Sequence, residues 1–231
     1  MSLSKEQTTE MFDNIAGKYD FLNHFLSLNI DKIWRRKAIE ILKKYQPKKI
    51  LDVATGTADF AIEATKLNPK EIIGIDISDE MLRIGKEKIK KRKLENVISL
   101  TKGDSENLQF ENNYFDAAIV AFGVRNFETL QKSLKEIYRV LKPEGVFIVL
   151  EFSMPKGFLF KQIYDFYFLR ILPLWGRFFS KEKSAYKYLP ASVIAFHDNE
   201  SFVNELKEAG FKNTSFNART FGVATIYKGG K

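Results

Sequence analysis

The stretch 50–60, ILDVATGTADF, limits the fold of this chain more than any other. Four apolar residues surround a single carboxylate, Asp52, and a turn of small residues follows at 55–58. A helix-compatible run then begins at Asp59. A short apolar run, a tight turn and a helix make up a βα unit. Because open α/β sheets bind ligands at the carboxyl ends of their strands, this turn is a candidate binding site.

The next apolar run, Glu71–Asp76, predicts a second buried strand that ends in a carboxylate 20 positions after Gly56. An acidic residue at that distance can accept hydrogen bonds from the ribose of a nucleoside cofactor. A pyrophosphate-binding turn needs G-x-G-x-x-G, whereas this turn keeps one glycine. It fits better the acidic-x-Gly-x-Gly-x-Gly loop of S-adenosylmethionine enzymes, with Ala54 and Ala58 in two of the three glycine places. The alternative is an ordinary βα turn that binds no ligand.

Strands and helices alternate along the rest of the chain, which predicts a mostly parallel sheet with helices on both faces. Helices are predicted over 5–44, from an N-cap at Ser78 to about Arg92, over 127–141 and over 201–209. Further strands are predicted over 97–101, 115–121, 146–152, 212–216 and 223–227. The last two strands are close in sequence, and we expect them to form an antiparallel pair at the sheet edge.

The composition excludes several kinds of site. The chain has 231 residues, and a hydrophobic share of 45% is enough for a packed core. It has no cysteine, which excludes disulfides, thiolate metal sites and a cysteine nucleophile. With only His24 and His197 present, we expect no bound metal. The first residues lack the apolar core of a signal peptide, so a cytoplasmic location is expected.

The net charge of +8 fits a polyanionic partner, either nucleic acid or an anionic membrane surface. The densest basic run, 86–93, is typical of the solvated face of a helix. Neither an aromatic-studded basic sheet motif nor a recognition helix accompanies the charge, so we expect no nucleic-acid partner.

The segment 157–179 is unusually aromatic and apolar. Charged residues, a proline and a glycine interrupt it, so it does not predict a membrane-spanning helix. Three interpretations remain open at this point: core packing, a cap over an active site, and a helix that lies in a membrane interface.

Polar residues follow two more of the predicted strands. Asp104 and Ser105 come after the third strand, where the carboxylate and the next N–H group can bind adenine beside Asp76. Arg125 and Asn126 come after the fourth strand, and they supply a permanent cation and an amide. The alternative is that the acidic residues belong to helix caps or loops, with Asn126 as a helix cap and Arg125 on the surface.

The sequence resembles the class I S-adenosylmethionine-dependent C-methyltransferases of menaquinone and ubiquinone biosynthesis over nearly its whole length. The matching motifs are YDFLN at 19–23 with Ser27 and Trp34, FGVRN at 122–126, RVLKPEG at 139–145, EFS at 151–153 and YKYLPAS at 186–192. The chain departs from the family pattern at Leu22 (usually Met), Asp31 (usually His), Glu144 (usually Gly) and His197 (often Pro). The change at Asp31 removes a histidine and leaves the cofactor residues unaltered.

The resemblance implies an α/β fold of the class I S-adenosylmethionine-dependent methyltransferase type, Rossmann-like, with a mostly parallel seven-stranded sheet. It implies a single domain over 1–231, with N-terminal helices over 1–46 and a helical cap insertion over 155–195. The implied reaction is methyl transfer to a ring carbon of a polyprenylated hydroquinone. Demethylmenaquinol is the expected substrate, and a 2-polyprenyl-6-methoxy-benzoquinol or another small-molecule or lipid acceptor is the alternative.

The resemblance also implies roles for single residues. Those expected to bind S-adenosyl-L-methionine are Asp52, Gly56, Thr57, Asp59, Asp76, Ile77, Asp104, Ser105 and Ala121. We expect Arg125 to stabilise a ring oxyanion, and Asn126 and Tyr19 to orient the ring hydroxyl or a water that takes its proton. The proton acceptor stays open, with His24 as one candidate.

The expected partners are the prenylated quinol and, through the segment 157–179, the inner face of the cytoplasmic membrane. The sequence leaves the oligomeric state open, and a homodimer is one option.

Overall fold

The computed structural model describes residues 4–155, 162, 183–196 and 199–231 of the chain. Most of the cap insertion predicted over 155–195 lies outside the described residues, as do the apolar segment 157–179, apart from Gln162, and His197.

The described strands form one seven-stranded sheet in the order β3-β2-β1-β4-β5-β7-β6. They are β1 (Lys49–Val53), β2 (Glu71–Asp76), β3 (Ile98–Lys102), β4 (Phe115–Ala121), β5 (Leu141–Phe152), β6 (Lys212–Arg219) and β7 (Ala224–Gly230). Strands β1 to β5 pair in parallel, while β7 runs antiparallel to both β5 and β6. The prediction of a mostly parallel sheet with an antiparallel pair at one edge is confirmed.

Helices cover both faces of this sheet. In the described ranges they are α1 (Lys5–Leu26), α2 (Ile30–Leu42), α3 (Asp59–Ala64), α4 (Asp79–Lys91), α5 (Leu130–Val140), α6 (Lys183–Ala195) and α7 (Asn199–Glu208). The predicted N-cap of α4 is confirmed, because the Ser78 hydroxyl accepts from the Met81 N–H at 3.1 Å. No helix among the described residues has the length and apolarity needed to cross a membrane.

Strand β1 shows why the sheet is buried on both sides. Ile50 belongs to a core cluster that includes Trp34 of α2, and its neighbour Leu51 belongs to a second cluster that includes Ile137 of α5. Successive side chains of a strand point to opposite faces, so an apolar run on both faces needs helices on both. The alternation of strands and helices in the sequence supplies them.

Three boundaries differ from the prediction for local reasons. The predicted helix 5–44 is two helices, because Leu28 and Asn29 take positive φ values of 52° and 61°. The predicted helix 127–141 begins at Leu130, since a 3₁₀ turn occupies Val124–Asn126 and the chain then extends. Strand β5 begins at Leu141, five residues before the predicted start, and its pairing with β4 shifts register before Val146.

Gly123, two residues after the end of β4, allows a close approach between this segment and the loop that follows β1. A Cβ atom placed on Gly123 would lie 2.7 Å from the Cβ of Ala54 and 3.3 Å from Cγ1 of Val120. The segments that follow β1 and β4 can approach each other closely because Gly123 has no side chain.

We predict that Gly123→Ala lowers the free energy of unfolding by about 1–3 kcal/mol through overpacking. Gly17→Ala is the matched control, because Gly17 lies in α1 with nothing within 4 Å of an added Cβ. That change should raise stability by about 0.5–1 kcal/mol. Urea denaturation measures both variants, and equal effects would contradict the close approach.

Candidate functional site

A cavity lies at the carboxyl ends of β1 to β4, with α1 as one wall. The loop after β1 contributes Ala54 and Gly56, the end of β2 and the residue after it contribute Asp76 and Ile77, and α4 contributes Met81. The segments after β3 and β4 contribute Gly103, Asp104, Ser105, Glu106, Ala121, Phe122, Gly123, Asn126, Phe127 and Glu128. Helix α1 contributes Lys5, Thr8, Phe12 and Tyr19. This is the edge of the sheet where the sequence predicted a ligand.

The loop after β1 is built from left-handed residues. Ala54, Gly56 and Ala58 have φ values of 52°, 55° and 68°. These are the three positions of the glycine pattern, and left-handed backbone is the conformation that glycine adopts freely. The two alanines keep the backbone shape at a cost of roughly 1–2 kcal/mol each.

Asp76 is fixed by this loop at the rim of the cavity. Its Oδ2 accepts from the Gly56 N–H at 2.8 Å, and its Oδ1 accepts from the Ser78 N–H at 3.0 Å. Burial raises the pKa of this carboxyl, and the hydrogen bonds from Ser78 and Gly56 oppose the shift. A carboxylate has about four lone-pair sites, so Asp76 keeps acceptor capacity for ribose hydroxyls.

Asp104 lies on the rim after β3. Its carboxylate accepts from Lys5 Nζ at 2.6 Å and from the Glu106 N–H at 2.9 Å. Burial acts to raise the pKa of Asp104, but these hydrogen bonds outweigh it, and the pKa lies below its ordinary value. Ser105 also lines the cavity, and its Oγ lies 2.9 Å from Oγ of Ser133.

Arg125 is buried in an ion pair. Its side chain is 6% exposed, and Nη1 lies 2.6 Å from Oε1 of Glu151, which is fully buried at the end of β5. The same Nη1 donates to the Phe122 carbonyl at 2.6 Å. The alternative of a surface arginine is therefore wrong. Arg125 does not itself line the cavity among the described residues, although its neighbour Asn126 does.

Asn126 and Arg125 both contact α6. The Tyr188 hydroxyl donates to Oδ1 of Asn126 at 2.8 Å, and Nε of Arg125 donates to Oγ of Ser192 at 3.3 Å. The alternative role of Asn126 as a helix cap is also wrong, because the N-cap position of α5 is Thr129. The pair thus connects the end of β4 to α6.

Tyr19 reaches the cavity from α1. Burial raises the pKa of its phenol, while Asn23 and the charge of Arg125 act against the shift. The hydroxyl is therefore neutral at pH 7 and available as a hydrogen-bond donor.

Three predicted cofactor residues line a smaller cleft that adjoins the main cavity. Asp52, Thr57 and Asp59 line this cleft, which shares Ala54 and Gly56 with the cavity, and do not line the cavity in the described part of the chain. Thr57 donates to Asp20 of α1, and Lys88 of α4 is paired with both Asp20 and Asp59.

His24, a candidate proton acceptor, lies in the same polar network. Its Nδ1 is 2.9 Å from Oδ2 of Asp31, and its Nε2 is 3.4 Å from Oδ2 of Asp59. Asp31, which stands where the family usually has histidine, is buried and also pairs with Arg35. Two carboxylates therefore hold the ring of His24.

Sequence reasoning missed Lys5, Arg35, Lys88 and Glu151. The first three come from helices whose docking cannot be read from a strand-end pattern. Glu151 did carry a signal, because it begins the EFS motif and follows a predicted strand. We find no cluster of three or more potential metal ligands in the described parts of the chain.

Comparison with known proteins identifies a family and several relatives of this chain. The chain matches the model of the ubiE/COQ5 methyltransferase family over residues 1–231. Demethylmenaquinone methyltransferase of Bacteroides fragilis is 49% identical over 223 residues, covering 96% of this chain and 91% of that protein. Ubiquinone/menaquinone biosynthesis C-methyltransferase UbiE of Geotalea daltonii is 46% identical over 228 residues, covering 98% of this chain and 97% of that protein.

The fold is also found among solved structures. The crystal structure of an S-adenosylmethionine-dependent methyltransferase from Thermotoga maritima superposes with a TM-score of 0.66 at 21% identity, covering 96% of this chain and 99% of that one. The predicted class I methyltransferase fold is thus confirmed. With the family model matched from the first residue to the last, the chain belongs to the ubiE/COQ5 methyltransferase family.

Proposed function

We propose that the protein transfers the methyl group of S-adenosylmethionine to a ring carbon of a polyprenylated hydroquinone. Demethylmenaquinol is the proposed substrate, with a 2-polyprenyl-6-methoxy-benzoquinol as the alternative. The observation that carries the proposal is the buried Arg125–Glu151 pair beside a cavity with Asp76 and Asp104 on its rim. The names of the relatives support the class of acceptor.

The groups of the cavity fit a nucleoside. Asp76 is suited to accept from the ribose hydroxyls, and Asp104 from the exocyclic amine of adenine. The backbone N–H of Ser105 is suited to a ring nitrogen, while Phe12 and Met81 add apolar wall. S-adenosylmethionine supplies an electrophilic methyl group on a sulfonium.

Arg125, Asn126 and Tyr19 act on the acceptor in this proposal. A quinol ring carbon becomes a good nucleophile when the neighbouring hydroxyl loses its proton. The Arg125 cation stabilises the resulting oxyanion, which is electrostatic preorganisation. Because Oδ1 of Asn126 accepts from Tyr188, its NH₂ group is left as a donor to the ring oxygen.

Burial of the Arg125–Glu151 pair strengthens the stabilisation of the oxyanion. Methyl transfer from a sulfonium to the ring carbon of a phenolate would break the S–CH₃ bond and cancel two charges, and the ring proton would leave afterwards to restore the aromatic quinol; a water-poor site favours such a step. Arg125 and Glu151 are almost completely withdrawn from solvent, so the field of the pair is weakly screened. Glu151 also holds the guanidinium in one orientation.

Mass spectrometry tests the proposed reaction directly. The purified protein is incubated with a short-chain demethylmenaquinol and with the benzoquinol, each with S-adenosylmethionine that carries a deuterated methyl group. We expect the ring of the first acceptor to gain the labelled methyl. If neither quinol gains the label, the proposed class of acceptor is wrong. If only the benzoquinol gains it, the benzoquinol replaces demethylmenaquinol as the proposed substrate.

We predict that Asp76→Ala weakens binding of S-adenosylhomocysteine by about 1.5–3 kcal/mol, the range for hydrogen bonds to a charged group. Isothermal calorimetry measures the affinity. Asp79→Ala is the matched control, because that side chain is 67% exposed in a pair with Lys102. If Asp76→Ala binds S-adenosylhomocysteine with unchanged affinity, Asp76 does not contribute to cofactor binding.

We predict that Arg125→Ala lowers single-turnover rate by about 10²–10³ with cofactor saturating, the usual cost of one oxyanion donor. Arg125→Lys should recover only part, because an ammonium lacks the planar fork. Residual activity of Arg125→Ala should rise with pH, since the quinol hydroxyl then ionises without help from the cation. Arg83→Ala, on the exposed face of α4, is the control.

Loss of fold must be separated from loss of chemistry in this test. Arg125→Ala leaves the buried Glu151 carboxylate without its partner, which is destabilising. The double variant Arg125→Ala, Glu151→Gln removes both charges and should regain stability without regaining rate. Wild-type turnover in either variant would move the oxyanion role to Asn126 or Tyr19.

We also propose peripheral contact with an anionic membrane on the cytoplasmic side. The net charge is +8, and the tail of the proposed substrate is lipid-soluble. Among the described residues, Leu28, Ile33 and Phe221 are more than half exposed. These side chains supply exposed apolar surface on the described part of the chain.

We predict that the protein sediments with phosphatidylglycerol vesicles at low salt, and less so at high salt or with phosphatidylcholine vesicles, because screening weakens the attraction. Equal recovery in the supernatant with anionic vesicles and with none would count against membrane contact.

A further inference from the structure

Helix α6 contacts two residues that follow β4 and that the proposed reaction uses. The Tyr188 hydroxyl donates to Oδ1 of Asn126 at 2.8 Å, and Oγ of Ser192 accepts from Nε of Arg125 at 3.3 Å. Tyr188 and Ser192 are four positions apart, so they lie on one face of the helix. One turn of α6 therefore contacts two consecutive residues of the turn after β4, and both helix residues belong to the YKYLPAS motif at 186–192.

The same helix also lies against α1, which carries Tyr19. Helix α6 thus touches both elements that supply the residues acting on the acceptor in the proposed reaction. Neither Tyr188 nor Ser192 lines the cavity in the described part of the chain. Side chains in this place can affect the reaction only through the residues they hold.

The side-chain amide of Asn126 has two ends of opposite polarity, an oxygen that accepts and an NH₂ group that donates. The residue lines the cavity, and Tyr188 is the one partner of its side chain among the described residues. Turning the amide over would exchange the two ends. With its oxygen towards the cavity, the amide would repel an oxyanion of the acceptor.

The Tyr188 hydroxyl favours one of these two orientations. Burial raises the pKa of this phenol, the charge of Arg125 lowers it and that of Glu151 raises it, with a net shift upwards. The hydroxyl therefore keeps its proton at pH 7, and Oδ1 of Asn126 is the one acceptor for that proton among the described residues. A turned amide would leave the proton without an acceptor, which is destabilising for a group withdrawn from water.

The guanidinium of Arg125 is also fixed by its contacts. Its Nε donates to Ser192, and its Nη1 donates to Glu151 and to the Phe122 carbonyl. Since a guanidinium has five N–H donors, these contacts leave the two donors of Nη2, which have no partner in the part of the chain that the structure describes. Two defined nitrogens thus remain for an acceptor oxygen, Nη2 of Arg125 and Nδ2 of Asn126.

We propose that Tyr188 is a positioning residue for the methyl transfer, because its hydroxyl holds the amide oxygen of Asn126 away from the acceptor and leaves the NH₂ group facing the developing oxyanion. The inference rests on the proposed reaction and adds a residue of α6 to it. Donors that are fixed in advance need no reorganisation when charge develops. Ser192 gives α6 a second contact to the same turn, which remains when the Tyr188 hydroxyl is removed.

Loss of the Tyr188 hydroxyl should favour the protonated form of the acceptor. An amide that is free to turn can offer its oxygen to the neutral ring hydroxyl, and this contact stabilises the hydroxyl against ionisation. The effect concerns ionisation of a bound phenol, so it can be measured on a ligand that is not methylated.

Absorbance titration of bound 1-naphthol measures the effect without turnover. 1-Naphthol has one ring hydroxyl, and its anion absorbs at longer wavelength than the neutral form. With S-adenosylhomocysteine present, we expect wild-type protein to lower the pKa of bound 1-naphthol below its value in water. Tyr188→Phe should raise that bound pKa by about half to one pH unit, the effect of one hydrogen bond. Tyr45→Phe, which changes a 37% exposed tyrosine, is the matched control and should leave it at the wild-type value.

A double-variant cycle with the quinol tests whether Tyr188 acts through Asn126. Tyr188→Phe should lower the single-turnover rate at saturating quinol by about 3–10-fold, with the half-saturating quinol concentration unchanged. In an Asn126→Ala background the same change should have no further effect, because no amide is left to position. A merely structural role of Tyr188 would lower the rate by the same factor in both backgrounds.

Three outcomes would overturn the inference. The first is an unchanged bound pKa of 1-naphthol in Tyr188→Phe, and the second is an equal effect on the rate with and without Asn126. The third needs no variant: a bound pKa in wild-type protein at or above the value in water would mean that no pair of donors faces the ring oxygen. Failure of the proposed function looks different, since the protein would then lower the pKa of bound 1-naphthol and methylate neither quinol.

Discussion

The hydrogen bond from the Gly56 N–H to the carboxylate of Asp76 is the contact on which the site depends. It joins the loop after β1 to the end of β2 and requires Gly56 at a φ of +55°. A second bond, from the Thr55 N–H to the Ile75 carbonyl at 2.9 Å, fixes the same junction. With the loop held there, Asp76 faces the cavity, Asp52 faces the cleft and α3 starts in a fixed direction.

Three cations at this edge of the sheet are paired with carboxylates. Arg125 with Glu151, Arg35 with Asp31 and Lys5 with Asp104 each bring one cation to one carboxylate. Pairing allows a cation to be withdrawn from water at a tolerable cost. The overall charge of +8 is thus no guide to the interior of the site, where a reaction that cancels charge is expected to proceed.

The sequence was a good guide to the sheet and to the presence of the helices, and a poor guide to how those helices dock around the sheet. Strand ends are local features, so Asp76 and Asp104 could be placed at one edge from the order of apolar runs. Arg35 and Lys5 reach the same edge through docking of α2 and α1, which depends on packing between distant segments. In the sequence, Ala54 and Ala58 appear only as departures from a glycine pattern. Their left-handed backbone conformation could not be predicted, because the loop imposes it. Glu151 was within a recognised motif, but its partner becomes clear only when β4 and β5 are paired.

One wall of the cavity is formed by helix α1, which is not part of the sheet. It is tied to the rest of the protein by Lys5 at Asp104, Asp13 at Ser78 and Asp20 at Lys88. A ligand that touches this wall and the sheet edge together contributes its binding free energy to the docking of α1. By thermodynamic linkage, a change that raises the fraction of molecules with α1 docked raises the apparent ligand affinity in proportion to that fraction. The affinity of the site is therefore a property of the first helix as much as of the strands.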